Sequence, residues 1–171
     1  LKVLNNAINL LRRPKRPPSK QEVIGTWGEL IVLYDMIKSS NSCVETIRII
    51  NGWESEGKNR DIIDFRFAYF ENGTVNEIKT STISREHHIH GLNQLIIPEG
   101  FENGWVTSIL IRETDGSAGY TSSELIEKIS SLFIGTEEEI MQQFTALEFK
   151  IKNRGDTCRD SLFYFMLTNE S

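Results

Sequence analysis

Cysteine, histidine and proline are scarce in this 171-residue sequence, at two, three and four residues, and each shortage removes a class of protein. Cys43 and Cys158 are too few for a disulfide framework and lack the clustered spacing of a zinc site, so a reducing, cytoplasmic setting is expected. The longest uncharged apolar run, around residues 30 to 34, falls far short of the ~20 residues that a membrane span requires. The first residues lack the apolar stretch and small-residue cleavage site of a signal peptide. Positive charge is also scarce over most of the chain. The first 20 residues hold six basic side chains and no acid, which leaves residues 21–171 with 13 basic against 24 acidic, a net −11. A body so acidic repels polyphosphate at long range unless a metal, a basic arm or a partner offsets it. What is present is ordinary: 39% hydrophobic and 25% charged residues exclude disorder, collagen and coiled coil and suit one core.

Three of the four prolines lie in "RRPKRPPSK" at residues 12–20, an extended basic connector. It divides the chain into an N-terminal part, residues 1–19, with a short helix at 3–11, and one domain over 20–171. Ser19 followed by Glu22 is a capping box, and Val23, Ile24, Trp27, Leu30, Ile31 and Tyr34 continue at helical spacing. This predicts a helix over 20–38 that is buried on several sides. "CVETIRII" at 43–50 reads as a strand. "DIIDFRFAYF" at 61–70 and "VNEIKTS" at 75–81 read as two more, joined by a hairpin carrying Asn72–Gly73. A helix is expected from Arg85 to Ile97, ending at Pro98, and a buried strand over 105–111. The "TSSE" and "TEEE" boxes at Thr121 and Thr136 predict helices over 122–133 and 137–145, followed by strands near 146–152 and 161–167.

Chemistry concentrates on the predicted hairpin. Side chains alternate along a strand, so Glu77 and Lys79 share a face, and Asp64 on the neighbouring strand can meet them. Two carboxylates near a backbone carbonyl suit Mg²⁺, which takes hard oxygen ligands and needs only one or two from protein. A lysine beside them can serve an attacking water and stabilise charge on a phosphoryl oxygen. Asp61 is a rival for Asp64, but at a separation of three it faces the other way unless the strand bulges.

Asp64, then "EIK" at Glu77–Lys79, set in a predicted α-β-β-β-α-β order, resembles the PD-(D/E)XK nuclease superfamily. With "GTWGELIVL", "DF", "EIKTS" and "HIHGLNQL" it is similar to a prokaryotic family of that superfamily encoded beside restriction-modification and phage-defence genes. The likeness spans about residues 20–111. It implies an α/β, restriction-endonuclease-like α-β-β-β-α-β core with a mixed central sheet flanked by helices, plus C-terminal helices and strands. It also implies a Mg²⁺-dependent DNA endonuclease, Mn²⁺ being a substitute, working as a homodimer or with partner subunits. Asp64, Glu77 and the carbonyl of Ile78 would hold the metal, Lys79 would serve the water, and Glu29 and Gln94 would be accessory catalytic residues. Arg85 and His88 stand where related sequences place polar residues, and they and His90 are candidate substrate contacts. The proline that usually precedes the first acid is replaced by Ile63.

Other readings of the same residues stay open. A nuclease-like subunit that scaffolds or binds DNA within a defence complex without cutting fits the acidic body. His87, His88 and His90 lack the spacing of a metal site, although His87, His90 or Gly91, and Gln94 share a helical face, so one of them can touch a phosphate instead. Trp27 and Trp105 read as core, and Trp53, in a polar loop, as a substrate or partner contact.

Overall fold

The computed structural model describes residues 17–54, 64–67, 73–84, 87, 96–159 and 162–168. The expected helix at 3–11, most of the basic connector, Asp61 and the hairpin turn at Asn72 lie outside these residues. So do Arg85, His88, His90 and Gln94. Of the expected helix from 85 to 97 only His87, Ile96 and Ile97 are described, and none of the three is helical.

Helix α1 is Lys20–Lys38, with the boundaries the sequence predicts. The Ser19 side chain accepts from the Glu22 N–H while the Glu22 carboxylate accepts from the Ser19 N–H at 2.7 Å, closing the capping box. Helix α2, Cys43–Gly52, stands where a strand was expected. Its β-branched residues suggested the strand, but local hydrogen bonds decide otherwise. Ser42 accepts from Glu45 N–H at 3.2 Å, and the Glu45 carboxylate accepts from Asn41 N–H at 2.9 Å. Cys43, Thr46, Ile49 and Ile50 then fall on one buried face at helical spacing.

Strands β1 (Phe65–Phe67), β2 (Thr74–Ser81), β3 (Asn103–Thr114) and β4 (Tyr164–Leu167) form one mixed sheet in the order β1-β2-β3-β4. β1 and β2 are antiparallel, β2 and β3 parallel, β3 and β4 antiparallel. The α/β class and the mixed sheet agree with expectation, while the opening order is α-α-β-β rather than α-β-β-β. β3 is not the buried strand foreseen. Only Ile109 and Ile111 are buried along it, and Trp105, expected in the core, is 66% exposed. β4 pairs only with Ile111–Thr114, so among the described residues the first half of β3 lacks a strand on that side.

Helix α3, Ser122–Ser130, and helix α4, Glu137–Arg154, both begin with the predicted capping boxes. α4 runs straight through residues 146–152, where a strand was expected. Leu147, Phe149 and Ile151 alternate with charged residues, which mimics a strand. In the helix Leu147 is buried and Ile151 half-buried, whereas Phe149 projects outward. Alanine, leucine, glutamate and lysine propagate a helix already nucleated at Thr136, and it stops at Gly155, whose φ of 82° suits glycine alone.

Trp27, Leu30, Leu33, Ile50, Trp53, Phe65, Ile111, Leu125, Ile129 and Phe165 belong to one buried apolar cluster that unites helices and sheet. Trp27 reaches across it, donating Nε1–H to the Tyr120 carbonyl at 2.8 Å and meeting the edge of Phe165. Among the described residues no helix is long and apolar enough to cross a membrane.

α1 lies directly on β2 because Gly28 has no side chain: a Cβ there would stand 1.7 Å from Thr80 Oγ1 and 2.8 Å from Thr80 Cβ. Gly28→Ala should therefore destabilise by about 2 kcal/mol or more through overpacking, with partial recovery in Gly28→Ala/Thr80→Ala. Chemical denaturation checks both, and an alanine variant as stable as the parent would refute the packing.

Candidate active site

The antiparallel register pairs Phe65 with Asn76. Continued by one residue, it sets Asp64, just ahead of β1, across from Glu77 on β2. Two bonds fix Asp64 there: its carbonyl accepts from Glu54 N–H at 2.8 Å, and its Oδ2 accepts from Ile78 N–H at 2.7 Å. Asp64 was expected within a strand and is found immediately before one.

Glu77 is 4% exposed. Its Oε1 accepts from Lys79 Nζ at 2.6 Å, while its Oε2 is buried with no hydrogen-bond partner among the described residues. Burial first, and the charge of Glu77 second, push the Asp64 carboxyl up to about 7; the Ile78 N–H and Lys79 oppose the rise. Asp64, Glu77 and Lys79, drawn from the sequence as one group, thus stand together.

The parallel register pairs Lys79 with Ser108 on β3, so the two side chains share a face. His87 Nε2 is 2.7 Å from Ser108 Oγ. Burial, then the neighbouring Lys79 charge, lower the His87 pKa, which favours the neutral ring. The sequence singled out His88 and His90 as contacts and offered His87 only as part of a helical face that can touch a phosphate, not as a partner of Ser108. The parallel pairing that sets Ser108 beside Lys79 is a nonlocal fact with no signal in a local motif.

Glu29 is buried, as expected of a functional acid, yet both of its oxygens are engaged elsewhere. Oε2 accepts from Trp53 Nε1–H at 2.8 Å and Oε1 pairs with Arg154. Its contacts run to the end of α2 and to α4, not to Asp64, Glu77 and Lys79. Trp53, foreseen as a loop contact, is 0% exposed and bridges to Phe65. An indole N–H inside a core needs an acceptor, and Glu29 supplies it.

Among the described residues no group of three or more histidine, cysteine or acidic side chains converges as a metal cage. Two carboxylates nevertheless meet the needs of Mg²⁺, which keeps waters and takes few protein ligands. Glu77 Oε2, without a partner among the described residues, is a hard oxygen donor of the right kind, beside an acid whose protonated form burial and then the Glu77 charge favour.

The chain matches, over residues 1–166, a family model described as "Putative PD-(D/E)XK family member, (DUF4420)". It belongs to that family. The DUF4420 match extends well beyond residues 20–111, where the motifs lie, and takes in α3, α4 and most of β4. Membership brings a nuclease-like fold. No curated protein and no solved structure matches the chain.

Two outcomes follow. Because the folded pKa of Asp64 lies above its unfolded value near 3.8, the native state holds a proton that the unfolded chain has released between about pH 4 and 7. Stability of the metal-free protein should thus fall as pH rises through that window, by at most about 4 kcal/mol. Asp64→Asn should flatten the dependence, and an unchanged slope in urea titrations would contradict the burial of this acid. Glu29→Ala, which strands the Arg154 guanidinium and the Trp53 N–H, should cost about 3 to 5 kcal/mol by the same measurement.

Proposed function

We propose that this chain is a divalent-metal-dependent DNA endonuclease of bacterial restriction or phage defence. The observation that carries the reading is the buried Glu77 carboxylate, one oxygen on Lys79 Nζ and the other without a partner among the described residues, next to the Asp64 carboxyl. A buried anion of this kind calls for a cation.

Asp64, Glu77 and the Ile78 carbonyl would hold Mg²⁺ or Mn²⁺, which when bound lowers the pKa of water and offsets charge on phosphate. Lys79 lies on the same strand face as Glu77, where its ammonium can orient a water for in-line attack and stabilise negative charge on the phosphoryl oxygens. The neutral His87 ring, tied to Ser108, keeps a second positive charge away from Lys79; His88, His90 and Gln94 follow it in the sequence. Those three and Arg85 are proposed to meet the DNA. Glu29 is a positioning residue, holding Trp53 and Arg154 behind the site. The basic run at residues 12–20 offsets part of the −11 charge of the body, so DNA affinity should fall steeply with salt.

Incubating the protein with supercoiled plasmid and Mg²⁺ or Mn²⁺ tests the reading. Lys79→Ala should slow nicking by about 10² or more. Either ion should raise the melting temperature of the parent, and Asp64→Asn or Glu77→Gln should remove that increment. Metal binding without nicking, with genomic partners supplied, would favour a non-cutting scaffold; neither binding nor nicking would sink the metal site itself.

A further inference from the structure

Helix α4 has two opposed faces. Ile140, Gln143, Leu147, Ile151 and Arg154 turn toward the body, and Gln143 and Leu147 are fully buried. On the far side, Glu138, Met141, Thr145, Phe149 and Lys152 recur every three or four residues, all exposed, with Met141 at 62% and Phe149 at 64%. Solvated helices seldom present a large apolar pair in the middle of such a stripe.

The stripe is its own complement. Laid antiparallel on a copy of itself about a two-fold axis at Thr145, it sets Glu138 against Lys152, Met141 against Phe149 and Gln142 against Glu148. Every pairing is favourable, and each occurs twice, as a closed two-fold interface demands. The centre suits close approach. Thr145 is small, and its hydroxyl already donates to the Met141 carbonyl at 2.8 Å, so covering it leaves no unmet hydrogen bond. Spacings of three and four residues are those of antiparallel helices packed at a shallow angle, about 8 to 10 Å apart. Glu138, Met141, Thr145 and Phe149 of the stripe, with Ile47 and Asn51 of α2, themselves line an open groove of about 570 Å³, with room for the partner's apolar side chains.

We infer that this outer face of α4 is a homodimer interface, occupied by the same face of a second copy. Glu138 and Lys152 lie some 21 Å apart along their own helix, at 1.5 Å per residue, so they cannot pair within one chain. Each suits its own end of the helix dipole, and across the two-fold axis the pair also meets as opposite charges. The inference stands apart from the nuclease reading, since its measurement is the mass of the particle and not cleavage.

Sedimentation velocity of the full chain from about 1 to 100 µM should show a monomer–dimer equilibrium. Glu138→Lys and Lys152→Glu, each placing like charges together twice, should each raise the dimer dissociation constant about tenfold or more. The combined swap E138K/K152E restores opposite charges across the axis and should return the constant to within about threefold of the parent. Phe149→Asp should leave a monomer, with unchanged helix content showing that it still folds. A parent that stays monomeric over the range, a dimer indifferent to Phe149→Asp, or a double swap no better than either single change would overturn the assignment.

Discussion

The closeness of α1 to β2 governs the rest of the molecule. A helix backbone rests on a strand side chain at Gly28 and Thr80, a separation that no residue with a Cβ permits. Lowered onto the sheet in this way, α1 covers the face of β2 that carries Ile78 and Thr80, while Glu77 is buried on the opposite face of the same strand. The same helix carries Glu29 inward, where it needs the Arg154 guanidinium and the Trp53 indole to be tolerated. Packing and electrostatics therefore meet at Glu29: the helix that packs so tightly carries this acid into the interior, and its two partners make the burial tolerable.

Across the sheet, the two acids of the candidate site are held against their own preference. Burial makes the charged form of Asp64 costly and the Glu77 charge adds to the cost, while the Ile78 N–H and Lys79 offset only part of it. A fold selected for stability alone would place apolar residues at such positions, since a buried charge is seldom a net gain. A site that stores an unfavourable charge can use it to attract a cation. The acidity of the whole body has the same sense and concentrates positive ions near the surface.

Much of this was legible in the sequence, and the failures have identifiable causes. Ser19–Glu22, Thr121–Glu124 and Thr136–Glu139 marked three helix starts because a capping box is a local, two-way hydrogen bond. Ser42 and Glu45 stand at the same spacing and mark the fourth, but the β-branched run behind them hid it. Leu147, Phe149 and Ile151 misled because an outward apolar residue gives a helix the rhythm of a strand. The group of Asp64, Glu77 and Lys79 was readable, since alternation and a hairpin require only local rules. The engagement of Glu29 by Trp53 and Arg154, and of His87 by Ser108, was not. Both depend on segments that meet only after the chain has folded.

The two thiols carry a practical consequence. Cys43 is buried against the Glu139 carbonyl, and Cys158 is 1% exposed beneath α1 and α3, with burial pushing its pKa up to about 12. Burial and the Glu139 charge raise that of Cys43 as well. Thiols kept protonated and covered react slowly with maleimides and iodoacetamides, because the thiolate is the nucleophile. The native chain is thus a quiet background for fluorophores or spin labels: a cysteine introduced anywhere on its surface would take up the reagent ahead of both natural ones, and distances across the folded protein can be measured without first removing them.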